Sequence, residues 1–469
     1  MNVTREADPK PMDAVLRRAS VCQSLHWLAS GQVTANTLTE AYLDAAMRRN
    51  GELNAYVELH PEMVREQAAA ATRRRAQGVI GRLDGIPVAV KDNLDIAGWP
   101  TRAGLPSRDG KPARSDAHAV SRLRAAGAVL MGKTLLDEAA LGAAGDNPHY
   151  GPTHNPFRRG YSAGGSSCGS AAAVAAGLAA AALGSDSLGS VRIPASYCGL
   201  FALKPTHGEI SARGLVPAAR RLDAIGILAR SADDLAVMLQ VLAGYDAEDP
   251  RSRKRRVALA IPDWEPGRLR SGVLGDLAAI GVEDAVIEVF DAAVERLTLE
   301  LGQRQRVDFS DWPFARTRRA GLLLMEAELR HTFAAELADA ERCFSPRMRA
   351  MLDFAAARNA TDYVVADRVL DAAALKARRL FAQIDVLILP TTPQGAFPLD
   401  GPAPDSQADL TGFASLAGCP AVSVPMGTLP NGLPVGLQFV GPPGSDLRLL
   451  ELAGVCAARL DAAPDYPVD

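Results

Sequence analysis

The stretch from Ala163 to Thr206, AGGSSCGSAAAVAAGLAAAALGSDSLGSVRIPASYCGLFALKPT, restricts what this chain can become more than any other part of it. It joins a Gly/Ser loop, an alanine-rich helix and a second Gly/Ser turn into one unit. Two turns this dense in glycine and serine on either side of one helix are more than ordinary chain reversal requires. Glycines beside clustered hydroxyls suit a backbone pressed close around a reacting group, so the unit reads as an active site.

The rest of the chain supplies a frame large enough to hold such a site. With 469 residues, 48% of them hydrophobic, it can bury a large core. A formal charge of -3 leaves no basic excess for nucleic acid or an anionic membrane, so small neutral substrates fit better. The six cysteines are scattered without a C-x-x-C pair, which argues against a zinc cluster, a redox dithiol or a disulfide framework. A reducing cytoplasm is the expected compartment. The opening MNVTREADPKPMD lacks the apolar core of a signal peptide, and no run of about 18 apolar residues occurs, so a soluble protein is expected.

Hydrophobic periodicity divides the chain into parts. Residues 11–72 read as a helical preface, with apolar positions recurring three and four apart in DAVLRRASVCQSLHWLAS and LTEAYLDAAMRRN. From Gly85 onward, short apolar runs (IPVAV, AVLMG, LFALK, GILAR) alternate with Gly/Pro turns and helical patterns, which predicts an α/β sheet. Residues 284–383 read as helical again and predict a cap or insertion. DVLILP, AVSVPMG and VGLQFVG then return as buried strands. A chain that leaves a sheet and comes back to it is best read as one domain, 1–469, carrying a helical insertion.

Two motif matches are weakened by their context. Gly127–Thr134, GAVLMGKT, satisfies the phosphate-loop pattern, but its Ala-Val-Leu-Met interior is that of a buried strand and not of a loop whose amides curl around phosphates. Gly165–Gly169, GSSCG, fits the nucleophile-elbow pattern with Ser167 as nucleophile. That elbow requires a central strand directly before it, and HNPFRRGYSAG is polar and broken by Pro156. His207, the nearest downstream histidine, reads as a loop residue.

Taken together with Lys91, the two Gly/Ser turns resemble the amidase signature family. The motifs that carry the resemblance are GIPVAVKDN at 85–93, AGGSSCGSAAAVAAG at 163–177, LGSDSLGSVRIPASYCG at 183–199, LKPTHG at 203–208 and the C-terminal GCPAVSVPMG and GLPVGLQFVG. The resemblance implies a mixed, twisted β-sheet sandwiched between helices. It also implies a Ser-Ser-Lys triad of Lys91, Ser166 and Ser190, a cis Gly165–Ser166 peptide and, as assembly, a homodimer. Ser190 would be the nucleophile, Ser166 the relay and Lys91 the base. Neither a metal nor a cofactor is implied, and none of the seven histidines falls in an H-E-x-x-H spacing.

The chemistry agrees with that assignment on independent grounds. Amide hydrolysis needs an activated nucleophile, an oxyanion site and a proton for the departing amine. Lys91 follows an apolar run, where burial lowers a lysine pKa from about 10.4 toward the working pH. Backbone amides of Ser187-Leu188-Gly189-Ser190 are the expected oxyanion site, with Ser167 beside them. Leu188 stands where the family turn commonly carries glycine, which predicts a narrower pocket. Met131, Tyr150 and the neighbouring His149 and His154 are candidate pocket residues. Asp92 either orients Lys91 or raises its pKa, and Asp186 with Arg192 reads as a structural brace. The expected activity is hydrolysis of a small-molecule amide, with aryl, alkyl and carbamoyl groups all open. The alternatives are the glutamine-hydrolysing A subunit of a tRNA-dependent amidotransferase and, in a different class, a catalytically silent binding protein.

Overall fold

The computed structural model describes residues 9–254 and 268–468. The chain enters through helices α1 (Pro9–Arg18), α2 (Val21–Ser30), α3 (Ala35–Leu53) and α4 (Pro61–Ala76). A four-residue strand, β1 (Tyr56–Leu59), breaks this expected all-helical stretch. YVEL is too short to show an alternation of its own between two helical patterns.

The central strands follow. β2 (Pro87–Lys91) leads through α5 (His118–Ala125) to β3 (Val129–Thr134), and two small hairpins come next, β4 (Asp146–Asn147) with β5 (Gly151–Pro152) and β6 (His154–Asn155) with β7 (Arg158–Ser162). α6 (Cys168–Ala175), β8 (Ala181–Asp186), α7 (Arg192–Tyr197), β9 (Phe201–Lys204), β10 (Ala224–Ala229) and α8 (Ala232–Leu242) complete this half. The alanine-rich stretch therefore splits in two. Gly177 stops the helix in the left-handed region at φ +66, where a Cβ would press on Val468, and the remaining alanines enter the sheet as β8. Small side chains suit a strand whose every residue is buried.

The second half comprises β11 (Arg270–Leu274), α9 (Asp284–Arg296), β12 (Gln303–Val307), α10 (Phe314–Thr332), α11 (Ala340–Cys343), α12 (Pro346–Ala356), α13 (Ala360–Phe381), β13 (Val386–Pro390), α14 (Asp409–Leu416), β14 (Ala421–Thr428), β15 (Pro434–Val440) and α15 (Asp446–Leu460). The expected helical insertion thus contains a strand. β12, QRQRV, is a solvent-facing edge with no apolar alternation to betray it.

Eleven strands make one mixed sheet in the order β1-β3-β2-β8-β10-β9-β14-β15-β13-β11-β12. β2 runs parallel to both β3 and β8, whereas β10 meets β8 and β9 antiparallel. β2, β3, β8 and β10 are buried along their whole length, as expected of strands covered on both faces. Buried apolar side chains of preface, sheet and insertion form one main cluster. Among the described residues no helix is long and apolar enough to cross a membrane.

Candidate active site

Lys91 closes β2 in the middle of the sheet and is wholly buried. Its Nζ donates to Ser166 Oγ at 2.8 Å, Ser185 Oγ at 2.9 Å and Ser167 Oγ at 3.0 Å, with the Ser185 carbonyl at 3.4 Å. Every one of these acceptors is uncharged. Burial pushes the lysine down to about 8, against the weaker upward pull of Cys168, Asp137, Asp186 and Asp223.

Asp92, the next residue, plays neither of the parts open to it. Its carboxylate pairs with Lys133 of β3 at 3.0 Å. Lys133 also donates to the carbonyls of Leu94 (2.8 Å) and Pro100 (3.1 Å), so the lysine of the phosphate-loop look-alike is bound up in structure.

The Gly/Ser loop brings Ser166 onto Lys91. Its Gly165–Ser166 peptide is cis, and Gly164 sits at φ +75, where a Cβ would lie 2.7 Å from the Pro194 Cα. A Cβ on Gly165 would collide with the Asp137 carboxylate. Asp137 is itself buried and accepts from the amides of Gly145 (3.2 Å) and Asp146 (3.3 Å), and burial raises its carboxyl to about 6. Ser167 is held inward, its Oγ donating to the Ser185 carbonyl (3.2 Å) and its amide to the Ser190 carbonyl (3.0 Å). What precedes it is the exposed β6–β7 hairpin and no central strand, so the elbow geometry is missing.

The second turn follows β8. Asp186 and Arg192, both wholly buried, pair at 2.9 Å, and Arg192 also donates to Gln438 Oε1 (2.7 Å), Ser415 Oγ (2.8 Å) and the Thr411 carbonyl (2.9 Å). Burial works against the Asp186 carboxylate, but the guanidinium prevails and holds it below its usual range. Ser187 Oγ donates to Asp223 Oδ1 at 2.6 Å. The Leu188 carbonyl accepts from Thr411 Oγ1 at 2.6 Å. Gly189 has φ +141, and a Cβ there would collide with the same threonine. Glycine is thus required at 189 by both conformation and space.

Ser190, 8% exposed, opens into a cleft of about 150 Å³. Leu141, Leu188, Ile193, Leu322, Met325 and Met351 form its apolar wall, while Arg318, Arg347, Asp405 and Gln407 supply polar groups. The Leu188 side chain lies against Gly321 of α10, where a Cβ would stand 2.8 Å from Leu188 Cδ2. A bulkier turn therefore meets a helix with its side chain removed. Arg318 is tied to Asp409 at 2.7 Å, whereas Arg347 is exposed at the mouth.

Two expected pocket residues fall elsewhere. Met131 lies within β3, wholly buried in the main apolar cluster behind β2. Tyr150 sits in the β4–β5 turn, where its carbonyl accepts from Asn54 Nδ2 at 2.8 Å. Neither lines the cleft, nor do His149, bound to Glu138 at 2.9 Å, and His154. Sequence reasoning missed Asp137, Asp223 and Thr411, which carry no motif of their own, and gave no role to Ser185 inside the 183–199 motif, whereas the cleft residues of α10 and α12 fall within the expected cap, 284–383.

The family model described as Amidase matches residues 37–450. The A subunit of glutamyl-tRNA(Gln) amidotransferase from Thiobacillus denitrificans is 34% identical over 455 residues, covering 91% of this chain and 94% of the relative. The protein of the same name from Archaeoglobus fulgidus is 35% identical over 424 residues, or 85% and 90% of the two chains. Among solved structures, native peptide amidase from Stenotrophomonas maltophilia superposes with a TM-score of 0.84 at 30% identity, over 96% of this chain and 99% of that one. A bacterial aryl acylamidase of the amidase signature family shares the fold with a TM-score of 0.88 at 23% identity, over 96% and 98% of the chains.

Proposed function

The chain belongs to the amidase family, and from that premise we propose that it hydrolyses a small-molecule amide through a Ser190 acyl-enzyme, with Lys91 as base and Ser166 as relay. The observation that carries this reading is a wholly buried lysine, pushed down to about 8, whose Nζ meets the hydroxyls of Ser166, Ser167 and Ser185 and forms no ion pair among the described residues.

Neutral Lys91 draws the Ser166 proton, and Ser166 in turn takes that of Ser190. Ser190 Oγ attacks the amide carbon, and the negative charge on oxygen is met by backbone N–H groups of the 187–190 turn. The relay runs backwards to protonate the nitrogen, the C–N bond breaks, and the amine or ammonia leaves. Water then attacks the acyl ester through the same relay, releasing the acid and restoring Ser190. A cleft of about 150 Å³ holds roughly five water-sized groups, which favours a short acyl chain.

A second reading, glutamine hydrolysis as the A subunit of an amidotransferase, is favoured by relatives of that name matching nine-tenths of the chain. Exposed Arg347 and Asp405 beside the cleft are also complementary to the carboxylate and ammonium of glutamine. One experiment separates the readings: ammonia release by the purified chain over aliphatic, aromatic and ureido amides and glutamine, with Ser190→Ala as blank. Turnover of one amide class that vanishes in the variant supports the freestanding amidase. Feeble turnover of glutamine alone supports the amidotransferase reading, and equal turnover by the variant sinks both.

A further inference from the structure

A groove of about 710 Å³, larger than the acyl cleft, lies between the edge strand β12, the start of α10 and the outer face of α13. Five cations line it, Arg306, Arg316, Arg368, Lys376 and Arg379, against two carboxylates, Asp308 and Asp311. Both carboxylates are already engaged. Asp311 pairs with Lys376 at 2.5 Å, and Asp308 accepts from the Ser310 amide (2.7 Å) and hydroxyl (2.8 Å). The four guanidinium groups form no ion pair among the described residues, and their side chains project into one depression where their fields add.

A second observation comes from the floor. Trp312 lines the groove, is only 6% exposed, packs edge-on against Phe413 with ring centres 5.4 Å apart, and keeps an indole N–H with no acceptor among the described residues. A buried donor left unsatisfied is costly, and an acceptor arriving in the groove would relieve it.

We propose that this groove binds a multiply charged oxyanion, a phosphate- or polycarboxylate-bearing small molecule held by the forked donors of Arg306, Arg316, Arg368 and Arg379 and by the Trp312 N–H. Guanidinium groups match such oxygens two at a time, which an ammonium cannot do. The groove is separate from the amide chemistry. α10 turns Arg316 toward it and Met325 toward the acyl cleft, about 180° apart around the helix axis.

Calorimetric titration of the full chain with tripolyphosphate and with citrate, at fixed ionic strength, tests the site and identifies which anion chemistry it prefers. Saturable binding is expected, weakened at least about ten-fold in Arg368→Gln/Arg379→Gln, whose exposed side chains leave the fold and basal turnover unchanged. Arg73→Gln/Arg114→Gln, which removes the same charge from exposed positions outside the groove, is expected to bind normally. Trp312→Phe keeps the ring but not the donor and is expected to weaken binding several-fold. Absence of saturable binding by either anion overturns the proposal, as does equal weakening in both arginine pairs, which would mark a general charge effect.

Discussion

Two lysines end up side by side in the middle of the sheet and meet opposite fates. Lys91 closes β2 and Lys133 lies near the end of β3, adjoining positions of a parallel pair, and each is wholly buried. Lys133 has a carboxylate 3.0 Å away and spends its remaining protons on backbone carbonyls. Lys91 has three hydroxyls and one backbone carbonyl, and no carboxylate among the described residues. Burial is common to both, so burial alone does not free a lysine for the role of base proposed for Lys91; the absence of a compensating anion sets the two apart. A third buried lysine, Lys204, narrows the lesson further. It too is pushed down to about 8, by burial and then by Arg192, yet its Nζ donates to the carbonyl of Pro205 and reaches no hydroxyl chain. A lowered pKa becomes chemistry only where a proton path begins.

Exchanging the fates of the two strand-end lysines gives the largest expected effects. Lys91→Ala is expected to cut turnover by roughly 10²–10⁴-fold while the protein stays folded by circular dichroism, with part of the loss recovered at high pH. Full activity with an unchanged pH profile would remove Lys91 from the mechanism. Lys133→Ala is expected to do the reverse, lowering stability by about 3 kcal/mol because Asp92 is left buried and unpaired, with turnover per folded molecule retained. Chemical denaturation beside active-site titration separates the two effects, and a catalytic loss in Lys133→Ala as deep as that in Lys91→Ala would collapse the contrast.

The pH profile sharpens the same comparison at intermediate scale. A base must be neutral to act, so kcat/KM is expected to rise with pH and level off above about 8. Stability moves in the same direction. The unfolded chain keeps its lysines protonated to about 10.4, so between about 8 and 10.4 it binds more protons than the folded protein, and folding is favoured as pH rises through that window. A flat activity profile from pH 6 to 9 would count against Lys91 as the titrating base.

The smallest expected effect lies at Leu188, where the 187–190 turn meets α10. Leu188→Ala is expected to cost about 2–3 kcal/mol of stability and to enlarge the acyl cleft against Gly321. The relative kcat/KM for a longer over a shorter acyl group should rise roughly ten-fold. An unaltered preference over a chain-length series would show that the wall is set elsewhere in the cap.

Strands buried on both faces were legible where large apolar side chains fill them, because an unbroken apolar run between glycines has few other uses, as in IPVAV and DVLILP; β8 was not, since its alanines read as a continuation of the helix before them. Edge strands were not: β1 is too short and β12 too polar to separate from their helical surroundings. The same division holds for the site. Gly164, Gly165 and Gly189 announced themselves because crowding by Pro194, Asp137 and Thr411 leaves room for no side chain, a requirement that local sequence records faithfully.

The amino-acid sequence by itself determined the alternating α/β texture, the two Gly/Ser turns and the lysine at a strand end, all consequences of near neighbours along the chain. Tertiary structure alone decided that Asp92 serves Lys133 and not Lys91, that Met131 and Tyr150 stand away from the cleft, and which residues of the expected cap, on α10 and α12, wall the cleft beside Ser190. These are contacts between segments far apart in the chain. No local pattern encodes them, because a side chain's partner is set by which strand lies beside its own and by what the helices leave exposed.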